Sequence, residues 1–280
     1  MAGADDRAVL VTGVSSGIGL AVAGALVARG VRVIGSVRTA ADAEAFVALL
    51  GPSARAVVFD LRDSAAIAAA SAEARAFAPA GLRGIVNNAG IAVPGPLEHL
   101  PLADFRDQIE VNLTGMLAVT QAFLPLLSRG GRIVNVSSVA AATAMPFLGA
   151  YSASKAALEA LSGSLRRELR TRGVDVVIVQ PGGIRTPIWR KAGDADASAL
   201  AGTPYEAPGA EFRQVALAAG ESGLAAERVG AMIARIVLDA RRPRTRYLIT
   251  PHPVTERLMR ILPTRLLDRL IATRLGIRKG

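Results

Sequence analysis

The 280-residue sequence contains no cysteine and only two histidines, His99 and His252. Disulfides and thiolate metal centres are therefore excluded, and because the histidines lie far apart we expect structural or surface roles for both and no metal site. Aromatic residues make up only 4% and do not alternate with basic ones, so stacking on nucleic-acid bases is not indicated. No run of about 18 uncharged apolar residues occurs, and no secretory signal is visible, which predicts a cytoplasmic protein without a transmembrane helix.

Positive charge is concentrated in one part of the chain. The formal net charge is +10, and residues 239–280 hold eleven basic and three acidic side chains, a net +8. The rest of the chain is close to neutral, so the basicity belongs to the C-terminal segment. It does not indicate a nucleic-acid-binding domain, and no nucleic-acid partner is expected.

Short runs rich in Val and Ile alternate with longer Ala-rich segments along the chain. Such runs are typical of strands buried on both faces of a parallel sheet, and the alternation predicts a Rossmann-type, doubly wound three-layer α/β fold with a mostly parallel seven-stranded sheet. The predicted strands are 7–13, 31–37, 54–60, 83–90, 131–138, 174–183 and 246–250. The predicted helices are 17–29, 40–50, 63–77, 101–128, 149–172 and 224–240. We expect residues 1–250 to form one dinucleotide-binding and catalytic domain.

Two segments depart from the alternation. Residues 185–223 are rich in Gly, Pro and Ala and follow the sixth predicted strand, so we predict an irregular lid over the ligand crevice. Residues 251–280 predict one or two basic amphipathic helices, broken near Pro263, with an apolar stripe. We expect the tail to pack on its own domain or on a partner subunit, and contact with an anionic membrane surface is the less favoured alternative. The stripe consists of Leu258, Ile261, Leu262, Leu266, Leu270 and Leu275.

A glycine-rich turn, TGVSSGIG, joins the first strand to the first helix. A residue without Cβ suits the sharp turn at Gly13, the close approach of a pyrophosphate at Gly17 and helix–strand packing at Gly19. The helix N-terminus then offers free N–H groups to phosphates. At the end of the second strand, Val37 stands where NAD sites usually have a carboxylate, and Arg38 follows. This pair favours NADP(H) over NAD(H), because an arginine can bind a 2′-phosphate.

The stretch YSASK places one of only three lysines four residues after a tyrosine. That spacing puts Tyr151 and Lys155 on one helix face. A compact ammonium near a phenol makes the phenol easier to ionise.

In this order along the chain, the motifs TGVSSGIG, NNAG, VNLTG, IVNVSS, YSASK and PGGIRT resemble those of the short-chain dehydrogenase/reductase family. The resemblance extends over almost the whole length. It implies that Tyr151 is the general acid/base, that Ser138 orients the substrate carbonyl, that Lys155 lowers the pKa of Tyr151 and binds the nicotinamide ribose, and that Asn112 holds a proton-relay water. It also implies that Asp60 binds the adenine amino group. The cofactor-binding residues implied are Gly13, Ser15, Ser16, Gly17, Ile18, Gly19, Arg38, Asp60, Leu61, Asn88, Ala89, Gly90, Tyr151, Lys155, Pro181, Gly182, Ile184 and Thr186.

The substrate is predicted from the residues expected near Tyr151. The ranges 93–96 and 139–147, together with the 185–223 lid, offer small and apolar side chains and almost no charge, which suits a lipophilic ketone, aldehyde or alcohol. The sequence therefore predicts an NADP(H)-dependent oxidoreductase. An NAD-dependent alcohol dehydrogenase, resembling steroid- and retinoid-active members, and a non-catalytic dinucleotide sensor are the alternatives. The resemblance also implies a homodimer or homotetramer.

Overall fold

A computed structural model describes residues 6–188, 200–239 and 241–277. Its main feature is a seven-stranded sheet in which every neighbouring pair is parallel. The strands of this sheet are β1 (Ala8–Thr12), β2 (Val33–Val37), β3 (Ala54–Val58), β4 (Leu82–Asn87), β5 (Leu127–Val136), β6 (Asp175–Pro181) and β9 (Arg246–Ile249). Their order, β3-β2-β1-β4-β5-β6-β9, confirms the predicted doubly wound fold. The two-residue strands β7 (Ile184–Arg185) and β8 (Leu224–Ala225) pair separately.

Helices cover both faces of the sheet. They are α1 (Gly17–Val27), α2 (Ala40–Leu50), α3 (Ser64–Phe77), α4 (Leu102–Ile109), α5 (Gly115–Phe123), α6 (Gly149–Glu168), α7 (Glu206–Glu221), α8 (Ala226–Leu238), α9 (Pro253–Met259) and α10 (Thr264–Arg274).

Side chains of β1 show how the two faces are filled. Val9 and Val11 point to a core shared with α1, α2 and α8, whereas Ala8 and Leu10 point to a core shared with α3 and α5. Successive side chains of a strand point to opposite faces, so a strand buried on both sides must be apolar at every position. This explains the continuous Val and Ile runs, each of which adds hydrophobic burial on both faces.

The sheet topology decides where a ligand can bind. From β1 the chain winds outward to β2 and β3, then crosses back so that β4 pairs with the other side of β1. The crevice at this reversal lies outside the carboxyl ends of the strands. The predicted glycine turn and the NNAG motif follow β1 and β4 and therefore meet at this edge.

The predicted single helix over 101–128 is wrong in detail. The structure divides it into α4, a π-helical turn at Glu110–Thr114, α5 and a 3₁₀ turn at Leu124–Leu126, and β5 begins at Leu127. By length and composition, the helical stretch Leu102–Leu126 could span a membrane. Within this fold it packs against α3, β4 and α6, as a core helix does.

The prediction of an irregular connection over 185–223 is also wrong in part. Residues 189–199 lie outside the described ranges, but Glu206–Glu221 form the helix α7, and β7 pairs with β8. Phe212 and Ala216, one turn apart on this helix, are buried in an apolar cluster, and this packing stabilises the helix. Pro208 and Gly209 lie in its first turn, where proline is tolerated.

The tail forms two helices separated at Pro263, as predicted, but the apolar stripe does not act as one surface. Leu275 is 1% exposed, whereas Leu258, Ile261, Leu266 and Leu270 are all exposed. Only part of the stripe therefore packs on the domain.

Candidate active site

A cavity of about 470 Å³ runs along the carboxyl edge of the sheet, from Arg38 and Asp60 at one end to Tyr151 at the other. Every predicted site residue lines it except Gly19 and Asn112, which support it from behind. It is also lined by residues that were not predicted as site residues: Ser36, Val37, Phe59, Arg62, Ile91, Ala92, Val93, Asp107, Val111, Val136, Ser137, Pro187 and Ile188. Of these, Val93, Pro187 and Ile188 lie in ranges predicted for the substrate pocket, and Val111, Val136 and Ser137 lie within quoted motifs.

The glycine turn has the conformation that its composition predicts. Gly13 and Gly17 have φ values of +71° and +59°, in the left-handed region that side chains disfavour. A Cβ on Gly19 would lie 2.1 Å from the carbonyl oxygen of Gly13, so no larger residue fits. The helix α1 starts at Gly17, directly after the turn, its N-cap Ser16 makes no side-chain cap hydrogen bond, and Ser16, Gly17 and Ile18 line the cavity, so the first N–H groups of the helix are available to a phosphate.

The loops after β1 and β4 brace one another. The hydroxyl of Thr12 accepts hydrogen bonds from the backbone N–H groups of Asn88 and Ala89, both at 3.0 Å. Asn88 Nδ2 donates to the carbonyl oxygen of Thr12 at 2.9 Å. The Asn88 side chain therefore holds the glycine turn in place, a role that its motif alone did not distinguish from direct ligand contact.

The end of β2 carries the predicted phosphate contact. Arg38 is exposed and lines the cavity, and within the described part of the chain its guanidinium has no hydrogen-bonded or ionic partner. Ser36, two residues earlier, accepts a hydrogen bond through Oγ from the Gly13 N–H at 3.2 Å. The missed residue Ser36 thus joins β2 to the glycine turn, and Arg38 is available to an anionic ligand.

Asp60 is held by a neighbouring arginine. Arg62 Nη1 donates to Asp60 Oδ2 at 2.9 Å, and Arg62 Nη2 donates to Asp107 Oδ2 at 2.7 Å. The hydrogen bond from Arg62 lowers the pKa of Asp107, so this carboxylate stays ionised at neutral pH. A carboxylate oxygen accepts more than one hydrogen bond, and Asp60 keeps acceptor capacity toward the cavity.

Tyr151 lies at the opposite end of the cavity, on the first turn of α6. The phenol is 6% exposed and is hydrogen-bonded to the Ser138 side chain. Burial raises the pKa of Tyr151, and the Ser138 hydrogen bond offsets part of that shift. Ser138 is positioned by a short 3₁₀ turn after β5, where its Oγ also accepts from the Ala140 N–H at 3.1 Å.

Lys155 lies one helical turn after Tyr151, as the spacing predicts. Its Nζ donates to the carbonyl oxygen of Val136 at 2.9 Å and is 5.8 Å from the centroid of the Tyr151 ring. Burial lowers the pKa of Lys155 to about 8, because an ammonium loses solvation in the interior. At neutral pH the group is still largely charged, so it places a positive charge beside the phenol.

Asn112 sits in the π-helical turn between α4 and α5, a local irregularity that is frequent at functional sites. Its Oδ1 accepts from the Ile91 N–H and its Nδ2 donates to the Ile91 carbonyl oxygen, both at 2.9 Å. Nδ2 also donates to Ser154 Oγ at 3.1 Å. A Cβ on Gly90 would approach Asn112 Oδ1 to 2.9 Å and Lys155 Nζ to 3.6 Å, so the residues of this end are in close contact.

An apolar cluster adjoins the cavity at the Tyr151 end. Tyr151 and Ala92 belong both to the cavity lining and to this cluster. We call it the Tyr151 cluster. Its buried members are Ala140, Phe147, Leu148, Tyr151, Phe212, Ala216 and Leu275, with Ala92, Met145, Leu200, Tyr205, Val215 and Ile271 partly buried around them.

The shape and chemistry of the cavity fit a dinucleotide. The glycines let a pyrophosphate approach the backbone, Arg38 offers a cation at one end, and Tyr151, Ser138 and Lys155 meet at the other. Within the described residues, no group of His, Asp or Glu could hold a metal ion, and His99 instead packs edge-on against Tyr205. The arrangement can donate or accept a proton at a substrate oxygen beside a bound cofactor.

Comparisons with known proteins give matches to dehydrogenases and reductases, two of them solved with a bound dinucleotide. A family model described as short chain dehydrogenase matches residues 7–197. An "NADPH-dependent 3-dehydrocapnine reductase" from Ornithobacterium rhinotracheale is 38% identical over 277 residues, 94% of this chain and 95% of the relative. A short chain dehydrogenase from Burkholderia cenocepacia, in complex with NADP, has a TM-score of 0.70 and 33% identity over 87% of this chain and 96% of that one. One from Burkholderia phymatum, in complex with NAD, has a TM-score of 0.76 and 25% identity over 90% and 92%.

Proposed function

The chain is an oxidoreductase of the short-chain dehydrogenase/reductase family, and we propose that it uses NADPH to reduce the carbonyl group of a lipophilic ketone or aldehyde to an alcohol. The observation that carries the proposal is the meeting of Ser138, Tyr151 and Lys155 at one end of a cavity whose other parts suit a dinucleotide. NADPH, when bound, supplies the hydride; the protein supplies position and the proton.

The side chains divide the work at the substrate oxygen. Tyr151 donates its phenolic proton to the oxygen as negative charge develops there, and Ser138 donates a hydrogen bond that orients the carbonyl. The positive charge of Lys155, 5.8 Å from the phenol ring, favours the tyrosinate left after proton transfer. Since burial alone raises the pKa of Tyr151, this help is needed for the reaction to turn over at neutral pH.

Proton return to Tyr151 is proposed to pass by way of Lys155 and Asn112. This route is supported by the packing around Gly90, where an added Cβ would be 2.9 Å from Asn112 Oδ1 and 3.6 Å from Lys155 Nζ, so the lysine ammonium is close to the turn that carries Asn112. A lysine with a pKa near 8 exchanges its proton more readily near neutral pH than an ordinary lysine.

The preference for NADPH rests on Arg38 and on Val37, which stands where NAD sites usually have a carboxylate. The guanidinium at the end of β2 lines the cavity and can pair with a 2′-phosphate, whereas the Val37 side chain cannot accept a hydrogen bond from a 2′-hydroxyl. The NADPH dependence in the printed name of the Ornithobacterium relative supports this choice.

The substrate class rests on the Tyr151 cluster. Apart from Ser138 and Lys155, the side chains that pack with Tyr151 in this cluster are aliphatic or aromatic, and a charged group of a substrate among them would lose hydration without gaining a partner. A lipophilic carbonyl compound gains free energy from the same burial.

Equilibrium binding of NADPH and NADH, followed by nicotinamide fluorescence, tests the cofactor assignment. We expect NADPH to bind at least tenfold more tightly, and Arg38→Glu to remove that difference by weakening NADPH binding while NADH binding changes little. Arg29→Glu is the matched control, because Arg29 is exposed and, among the described residues, its side chain donates only to the carbonyl oxygen of Ala25, at 2.7 Å. Equal loss for both cofactors in Arg38→Glu would contradict the 2′-phosphate contact, and preference for NADH would indicate the NAD-dependent alcohol dehydrogenase instead.

A further inference from the structure

The second C-terminal helix reaches the Tyr151 cluster. Leu275, directly after α10, is 1% exposed, and it belongs to the same buried cluster as Tyr151, Phe147 and Phe212. Ile271, one turn earlier, packs against that cluster. Because these contacts lie more than a hundred residues away in sequence from Tyr151, no local motif indicates them.

Polar contacts fix the two C-terminal helices at separate points. Arg274 Nη1 pairs with Glu211 Oε1 at 3.2 Å and so joins α10 to α7, which also contributes Phe212 to the cluster. Arg260 Nη2, just after α9, donates to Gln180 Oε1 at 3.1 Å, next to the cavity residue Pro181. The position of Leu275 is thus held from both ends of the helical pair.

Phe147 and Phe212 pack against each other within the same cluster. Phe147 stacks on Phe212 with ring centroids 5.4 Å apart, and its backbone has a φ of +66°, which is rare for a bulky residue. This conformation is held by a hydrogen bond from the Gly95 N–H to the Phe147 carbonyl oxygen at 2.8 Å. An apolar group bound beside Tyr151 would extend from the cavity toward this cluster, in which Leu275 is the residue contributed by the C-terminal segment with the least exposure.

We infer that Leu275, supported by Ile271, forms the far wall of the substrate site and sets the length of the apolar group that is accepted beside the reacting carbonyl. This inference rests on the proposed reduction of lipophilic carbonyl compounds. It assigns a specificity-determining position to the C-terminal extension.

Substituting Leu275 by alanine tests the wall. Leu275→Ala removes three carbon atoms from the cluster, and methyl ketones from 2-butanone to 2-tridecanone serve as substrates with NADPH. We expect the ratio of kcat/KM for long over short ketones to rise at least about tenfold, mainly through KM, because each added methylene contributes to binding in an apolar pocket. Leu275→Phe is expected to shift the preference to shorter ketones.

Leu270→Ala is the matched control, since Leu270 lies in the same helix and is 52% exposed. Its chain-length profile should equal that of the unmodified protein. The inference is overturned if Leu275→Ala, with an unchanged NADPH affinity, keeps the same profile as Leu270→Ala. Should Leu275→Ala not fold, the volume-conserving Leu275→Met is compared with the larger Leu275→Phe. If the chain-length profile of Leu275→Phe is the same as that of the unmodified protein, the inference is overturned.

A binding measurement separates this inference from the proposed reaction. In the Tyr151→Phe background, ketone binding is followed by the fluorescence of bound NADPH, which needs no turnover. If the unmodified protein reduces none of the ketones but Leu275→Ala still shifts ketone binding toward longer chains, the wall stands and the proposed reaction fails. If turnover is seen and binding shows no shift, the wall fails and the reaction stands.

Discussion

Tyr151 and Lys155 are each placed in an environment that opposes their own ionisation. Burial raises the pKa of the phenol and lowers that of the ammonium. Burial of this kind costs stability and is found where titratable groups do chemistry. Substitutions of these two residues should therefore have different effects on activity and on the free energy of unfolding.

Removing the Tyr151 hydroxyl should abolish turnover and spare cofactor binding. Tyr151→Phe keeps the ring that packs in the cluster but removes the proton donor, and general acid catalysis contributes about 10²–10⁴-fold in rate. We expect kcat to fall at least about 10²-fold and the NADPH dissociation constant to change less than about threefold. Steady-state kinetics and fluorescence titration check both, and retained turnover would refute the assignment of Tyr151.

Replacing Lys155 by an apolar residue should stabilise the fold at neutral pH. Because the pKa of Lys155 is lowered to about 8 in the folded chain, the unfolded chain binds more protons between about pH 8 and 10.5, and the destabilisation is fully present below pH 8 and relieved as pH rises. A shift of this size corresponds to about 3 kcal/mol, less about 1 kcal/mol for the lost hydrogen bond to Val136.

Urea unfolding measures this prediction. Lys155→Met should be more stable than the unmodified protein by about 2 kcal/mol at pH 7, and the difference should shrink toward pH 10. A difference that does not depend on pH would show that the charge of Lys155 is not what costs stability.

At the scale of elements, α1 allows a matched comparison of two glycines. A Cβ on Gly19 would clash with the Gly13 carbonyl oxygen, whereas a Cβ on Gly24 in the same helix meets nothing within 4 Å. Gly24→Ala should stabilise the protein by up to about 1 kcal/mol, since alanine favours helix. Gly19→Ala should destabilise it by about 1–3 kcal/mol and weaken NADPH binding at least tenfold. Denaturant midpoints and fluorescence titration compare the pair; equal effects would contradict the close packing of the turn.

Elements that form through interactions between residues close in sequence could be predicted, whereas elements that depend on contacts between distant residues could not. The strands and the glycine turn were predicted because continuous Val and Ile runs and turn glycines are local signals. The π-helical turn at Glu110–Thr114 was missed because Asn112 within it bonds to Ile91, 21 residues earlier and on the other side of α4, which no local pattern indicates. The helix Glu206–Glu221 was missed because its Pro and Gly residues indicate a loop, while Phe212 packs in a core that only the folded chain creates.

The residues of the candidate site could likewise be predicted only where a local motif carries them. Residues from TGVSSGIG, NNAG and YSASK line one cavity at the carboxyl edge of the sheet, because each motif follows or adjoins a strand end there. Ser36, Arg62 and Asp107 were not predicted, because each acts through a partner from another strand or helix. Leu275 was predicted only as part of an amphipathic stripe, and nothing in its periodicity distinguishes it from exposed Leu270.

At the scale of the whole molecule, one carboxylate connects four elements of the sheet edge. Glu159, on α6 one turn after Lys155, accepts from Ser137 Oγ at 2.8 Å, from Gln180 Nε2 at 2.6 Å and from Arg246 Nη2 at 2.6 Å. Its side chain is 12% exposed. The helix that carries the reacting phenol is thus tied to β5, β6 and β9 together.

Glu159→Ala should therefore destabilise the protein by about 2–4 kcal/mol, because it leaves buried donors unpaired. Glu159→Gln should cost less, since its side-chain oxygen still accepts from Ser137 and Gln180. Glu168→Ala is the control: Glu168 ends the same helix and is exposed. Calorimetric or urea unfolding decides, and equal stability of Glu159→Ala and Glu168→Ala would show that the network carries no stability.

The ribosome makes the residues of the dinucleotide cavity and the residues of the proposed substrate wall at different times. Strand β1, at the centre of the sheet, is made before the other strands, and the residues that line the dinucleotide cavity are all present once Ile188 has been added. Strand β9 and Leu275 are translated several seconds later, at about 5–20 residues per second. The growing chain thus contains its nucleotide-facing residues before the wall beside Tyr151 exists, so a chain stopped between residues 250 and 275 would keep the former and lack the latter.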